Sequence, residues 1–268
     1  MAITTLDQLI AAMLPPATIA KAATPTLVAG RPHSLFYLAG SPGAAVAPTP
    51  GLAGAALTSY AGQLPFPAAV SGRNVHLARL SAQATIAGSL VLCDRLWHNS
   101  GLSLTSTAAQ TINSVAWPAR DANGATDGER VLIGLEVTSA TGSGTPAFSM
   151  SYTNSQGAAG RTGTGVLNGV ASSPIGAFYP LGLAAGDTGV RSVQSFSLSA
   201  SWTSGAASLV AYREIARLEL TAAHVPSAID AITSGMPRLY DGSVPFLLFI
   251  PSATTASNIV GQVVFAQG

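Results

Sequence analysis

The side chains able to do chemistry are few and scattered. The densest group is Asp94-Arg95-Leu96-Trp97-His98, which sets an acid, a guanidinium and an imidazole within five positions. A hydrolase would pair His98 with an aspartate so that the imidazole takes a proton from a serine. Such triads are defined by geometry, and the G-x-S-x-G elbow that announces one in many hydrolases is missing. The favoured reading is an Asp94–Arg95 pair at a strand end, with Trp97 packed inward and His98 capping a turn. His33, His76, His98 and His224 lack the H-x-H or H-x-x-x-H spacing that sets two metal ligands side by side. Asp121, Asp127 and Glu129 share a Gly-containing loop with oxygens for a calcium ion, but not in the D-x-[DN]-x-[DN]-G order, so a solvated turn is expected. Gly160-Arg161-Thr162-Gly163-Thr164-Gly165 has the wrong order for a phosphate loop and no Lys-Ser/Thr after it, and reads as a flexible hairpin connection. No catalytic residue, cofactor or metal is expected.

Arg213, Glu214, Arg217 and Glu219 fall in one segment. In a regular strand Arg213, Arg217 and Glu219 share one face and Glu214 takes the other, so the two glutamates do not converge as glycoside cleavage requires. Arg213 and Arg217 are instead expected to meet a neighbouring subunit, because a planar guanidinium suits interface pairing. Lys21 is the single lysine among 12 cations, and 11 anions leave a formal charge of +1. No broad basic surface exists to draw a phosphate backbone, so a direct nucleic-acid partner is not expected. Charged residues make up 9% of the chain, against a usual share of about 25%. A free-standing cytosolic enzyme shows more charge to water, and much of this surface is expected to be covered. Cys93, the lone cysteine, allows no intrachain disulfide and reads as a small buried hydrophobe.

The elements behind these residues read mainly as strands. Thr5, Leu6, Leu9, Ile10, Met13 and Leu14 have helical spacing and stop at Pro15-Pro16, which predicts one short amphipathic helix. The opening lacks the basic region of a secretory signal, so synthesis and folding in the cytoplasm are expected. From there to residue 67 the chain is rich in Ala, Pro, Gly and Thr, broken by Leu35-Phe36-Tyr37-Leu38. An extended arm is expected, and an arm so apolar needs another surface to lie on. Leu35, Phe36 and Tyr37 are therefore candidate interface residues. The division is an arm over 1–67 and a β core over 68–268. Strands are predicted over 74–81 and 89–96, joined as a hairpin at Ala87-Gly88, and over 131–138, 147–153, 190–202, 208–220, 246–250 and 258–266. Residues 223–236 predict a second short helix through Val225, Ile229 and Ile232. The fold class is all-β, an antiparallel sandwich or jelly roll with an N-terminal arm and one or two short helices. No run is long enough for a spanning helix, and 6% aromatics are too few for the two girdles of a membrane barrel, so no membrane is expected.

Several short stretches stand out together: Leu64-Pro65-Phe66, Ser71-Gly72, Leu77-Ala78-Arg79-Leu80, Asp94-Arg95-Leu96 with His98, Ser100-Gly101-Leu102, Gln110-Thr111 and Asn113-Ser114. Further along come Ser151-Tyr152-Thr153-Asn154, Gly160-Arg161-Thr162, the run 185–195, Pro237-Arg238-Leu239-Tyr240-Asp241 and Phe265-Ala266-Gln267-Gly268. These stretches resemble virion structural proteins of tailed bacteriophages. The resemblance covers most of the chain after the arm and contains no catalytic signature. It implies a capsid decoration or cement protein on the virion surface, partnered by the major capsid protein and self-associating as a homotrimer. A tail or baseplate component is the alternative within that class. A carbohydrate- or receptor-binding β module, with Trp97, Trp117 and Trp202 as stacking platforms, is the alternative outside it.

Overall fold

The computed structural model describes residues 3–268. Thr5 accepts the Gln8 N–H at 3.2 Å while the Thr5 N–H donates to the Gln8 side chain at 3.1 Å, a reciprocal cap that opens α1 (Leu6–Ala12). Four short strands follow in the Pro-rich stretch: β1 (Ala17–Lys21), β2 (His33–Ser34), β3 (Gly40–Ser41) and β4 (Ala55–Ala56). The long strands are β5 (Val75–Ala84) and β6 (Gly88–His98), then, after the brief β7 (Gln110–Thr111), β8 (Leu132–Ser139) and β9 (Phe148–Asn154). Next come β10 (Arg161–Gly165), β11 (Phe178–Gly182), β12 (Val190–Leu198) and β13 (Ala206–Leu220). β14 (Ser227–Asp230) runs into a single helical turn, α2 (Ala231–Ser234), and β15 (Arg238–Leu239), β16 (Pro245–Pro251) and β17 (Ile259–Gln267) complete the set.

Pairings are antiparallel and form two sheets. The smaller orders β14-β5-β17-β1-β3, with β15 also on β5; the larger orders β2-β16-β6-β13-β8-β11-β10-β9-β12-β7, with β4 on the end of β6. The small sheet covers the β16-β6-β13 part of the large one, where Leu77, Leu80, Val263 and Phe265 meet Leu90, Leu92, Leu218 and Phe249. The rest of the large sheet encloses a second core around Trp97, Leu135, Phe148, Phe196 and Trp202. A third cluster, Val91, Cys93, Tyr212, Phe246 and Leu248 with Phe36, fills the opposite face of β6, β13 and β16. β6 is thus buried on both faces, which is why Leu90-Val91-Leu92-Cys93 runs unbroken where a half-exposed strand alternates. The chain is an all-β sandwich.

Four expectations change. Residues 17–67 do not extend away as an arm: β1 pairs with β17, β2 with β16 and β4 with β6, and Ile19, Leu27, Leu35, Phe36, Leu57 and Leu64 are buried. The apolar stretch found its surface on its own chain, so residue 67 does not divide an arm from the core. β5 and β6 are not a hairpin; the turn before Gly88 carries the chain from one sheet to the other. Turn chemistry fixes where a chain reverses, and burial decides what it then pairs with. Residues 223–236 form β14 and one helical turn where a helix was expected, because Ser227–Asp230 completes the edge of β5. The Gly160–Gly165 stretch, expected as a loop, supplies β10, paired to β9 and β11.

Candidate functional site

The Asp94–His98 cluster is a buried polar lattice. Asp94 does not pair with Arg95. Its carboxylate accepts Arg120 Nε at 3.0 Å, the Ser243 hydroxyl at 3.0 Å and the Val244 N–H at 2.8 Å. Arg120 in turn donates Nη1 to the carbonyls of Leu57 at 2.7 Å and Gly242, and Nη2 to that of Arg95 at 3.0 Å. Arg95, one residue on and therefore on the other face, reaches Glu136 on β8 at 2.7 Å, both side chains fully buried. Its guanidinium lies 4.7 Å from the Phe36 ring centroid and 5.6 Å from that of Phe246. The Tyr37 hydroxyl donates to the same Glu136 oxygen at 3.0 Å, and burial, reinforced by Glu136, pushes its pKa up.

No proton relay runs through this lattice. His98 packs edge-on against Tyr60 with ring centroids 4.6 Å apart, and its Nδ1 meets no hydrogen-bond partner. Burial, with Arg95 nearby, pulls its pKa down to about 3. An imidazole already neutral and without an aspartate lacks the orienting partner of a triad base. The Asp121 loop is likewise self-contained. Asp121 accepts the backbone N–H groups of Asn123, Ala125, Gly128 and Glu129, so its oxygens organise the turn and are not offered to an ion. Among the described residues no three His, Cys, Asp or Glu side chains come together as metal ligands.

The expected interface residues divide. Leu35 and Phe36 are each 1% exposed and are not offered to a partner, whereas Tyr37, which donates to Glu136, remains partly exposed. Arg213 is buried too, donating to the carbonyls of Arg120 at 3.1 Å and Arg238 at 3.0 Å. Arg217 is exposed, 3.4 Å from Glu214. That pair contradicts the regular alternation expected of this strand. A bulge at Ile215, between the Glu214–Cys93 and Ala216–Leu92 pairs, brings Arg217 round to the Glu214 side. Trp97, Trp117 and Trp202 are all buried, with the indole N–H of Trp97 on the Ala53 carbonyl and that of Trp202 on the Val170 carbonyl. They are core side chains and provide no open stacking platform.

Four of the 12 cations (Lys21, Arg95, Arg120, Arg213) and three of the 11 anions (Asp94, Asp121, Glu136) are buried, which leaves the exterior still poorer in charge than the composition indicates. Helix α1 buries no residue, and Leu6, Ile10 and Met13 are 69%, 58% and 44% exposed. Their i, i+4, i+7 spacing forms one apolar stripe that faces solvent. The sequence announced the stripe, but not that it would point outward. No helix among the described residues is long and apolar enough to cross a membrane.

No family model matches the chain, and no curated protein does. A solved structure titled "Structure of infectious bursal disease virus Gt strain" aligns over 95% of this chain and 82% of that chain, with 9% identity and a TM-score of 0.20. A similarity that low carries no argument about this chain.

Proposed function

We propose that this chain is a non-enzymatic structural protein of a virus particle that decorates and stabilises a bacteriophage capsid lattice, associating with copies of itself as a trimer and with the major capsid protein. The observation that carries the reading is the outward apolar stripe of α1 on a charge-poor surface. Covering a Leu, Ile or Met side chain fully stabilises a contact by about 1.5–3 kcal/mol, and symmetry repeats that contact at every equivalent site of a shell. The resemblance of the stretches after residue 63 to tailed-phage virion proteins points the same way.

The test is cosedimentation of the purified protein with empty capsids of a tailed phage, comparing wild type with a Leu6→Asp/Ile10→Asp double variant. Because α1 buries no side chain, the variant keeps the sandwich, which circular dichroism checks. Deleting residues 1–67 would be a poor test, since that removes Leu27, Leu35, Phe36, Leu57 and Leu64 from the core. Saturable binding lost in the double variant supports decoration through α1. A folded wild-type protein that stays in the supernatant overturns it and moves a tail or baseplate role to the front.

A further inference from the structure

Arg213 and Arg238 flank the Tyr240 ring and Arg73 lines the same cleft as Arg238, none of them with a carboxylate at ion-pair distance. β15 lies along β5 with Arg238 opposite His76 and Leu239 opposite Val75. The approach to β5, Arg73-Asn74, forms another wall of a cleft of about 220 Å³, also lined by Ala119, Tyr240 and Asp241. Arg73 and Arg238 are exposed, and neither belongs to an ion pair. The Arg238 guanidinium lies 4.7 Å from the Tyr240 ring centroid, which limits its rotamers before anything binds. Tyr240 is itself held, its hydroxyl donating to the Ala122 carbonyl at 3.2 Å. Behind it Arg213 lies 5.4 Å from the same ring and spends its donors on carbonyls. The acids around Arg213 are committed elsewhere, Asp94 to Arg120 and Asp121 to its own loop. Asp241 is the cleft's own acid, exposed and in no ion pair.

We propose that this cleft binds a carboxylate of an acidic segment on a partner protein, inserted between Arg73 and Arg238. The inference deepens the docking reading above and rests on it for the existence of a protein partner. Planar guanidinium groups match the two oxygens of a carboxylate in a fork. Asp241 repels a phosphate dianion about twice as strongly as a carboxylate monoanion, since the Coulomb energy scales with charge. Two arginines, one of them held against Tyr240, on a surface otherwise sparse in charge give a specific register without general stickiness.

The experiment titrates the full chain with an N-acetylated, C-amidated triglutamate peptide and follows backbone amide shifts by NMR, for wild type and for Arg73→Gln, Arg238→Gln and Arg191→Gln. Wild type should saturate, with shifts centred on residues 73–75 and 238–241. Either cleft substitution should weaken binding about tenfold, the size expected for one charge-assisted contact. Arg191→Gln, outside the residues that line the cleft and paired with Asp127, should leave it unchanged. No saturation by about 10 mM peptide, or saturation indifferent to both cleft substitutions, overturns the site. Inorganic phosphate binding as tightly as the peptide overturns the assignment to a protein carboxylate. Peptide binding that holds while capsid cosedimentation fails would discard the capsid reading and keep the cleft.

Discussion

Replacing Glu136 with glutamine tests the buried lattice directly. The side chain keeps its shape and still offers Tyr37 an oxygen, but the only carboxylate in contact with Arg95 is gone. Arg95 and Glu136 are 2.7 Å apart and both fully buried, and the guanidinium is otherwise enclosed by Phe36 and Phe246. At an effective dielectric of about 20, two unit charges some 4 Å apart attract by about 4 kcal/mol, and breaking a buried pair from one side costs about 3–5 kcal/mol. Against a total stability of roughly 5–15 kcal/mol the variant should be close to unfolding. With a urea slope of about 3 kcal/mol/M, the midpoint should fall by about 1 M or more. The triple variant Arg95→Met/Glu136→Leu/Tyr37→Phe removes both charges and the hydroxyl that would lose its acceptor. It should recover most of the loss, because apolar side chains suit a site already walled by two phenyl rings. A Glu136→Gln variant within about 1 kcal/mol of wild type, or a triple variant as unstable as the single, would refute the argument.

Acid should weaken the fold from about pH 6.5 downward. Burial holds His33 near 4 and, with Arg95, His98 near 3, while in the unfolded chain both protonate near 6.5. Below that pH the unfolded state binds the extra protons, so stability is full above about pH 6.5 and falls by about 1.4 kcal/mol per unit for each histidine on the way down. Equal urea midpoints at pH 7 and pH 5 would contradict this. Asp187, held near 2 first by Arg161 and then by Tyr152 and Asn154, contributes stability that is present above about pH 4 and lost as the pH falls through 2. An Asp187→Asn variant should lack that last acid-dependent step in a thermal melt series. Gly134 lies under the Phe178 ring, where a Cβ would collide with it. Gly134→Ala should lower stability by about 1–3 kcal/mol, and Phe178→Leu should partly relieve that deficit in the double variant. Deleting residues 1–67 should abolish the cooperative thermal transition, since the strands it removes are parts of both sheets.

How much of this was legible depended on range. Local periodicity placed β5, β6, β8, β9, β12, β13, β16 and β17 within a few residues, because each long strand carries its own alternation or apolar run. β11 is not among the predicted strands; its Pro180 argues against a strand, yet lies within a paired one. Arg217 was placed on the wrong face because a bulge adds one residue without a signature of its own. The Arg95–Glu136 and Asp94–Arg120 pairs were out of reach because they join strands and loops whose adjacency depends on topology. The candidate interface divided for a related reason, Leu35 and Phe36 being buried within their own chain while Arg217 is exposed. Leu35-Phe36-Tyr37 correctly signalled a surface in need of cover, but sequence does not say whether the cover comes from another subunit or from the same chain.

Where the charge goes then bears on how copies can crowd together. Burying four cations and three anions leaves eight of each sign outside the core. That exterior is balanced, and at physiological salt its sparse charges are screened beyond about 8 Å, so little repulsion opposes close approach of identical subunits. The same balance removes long-range steering, and specificity must come from short-range features with a direction. The interior charges supply their own direction: Arg120 ties Leu57, Asp94, Arg95 and Gly242 together, so the N-terminal stretch is held in one register on the sheet. A misregistered Leu57 would leave a buried guanidinium donor unpaired, at a cost of a few kcal/mol. The chain thereby uses its scarce charge to fix its own fold, and the proposed docking rests on the exposed α1 stripe and the Arg73–Arg238 cleft.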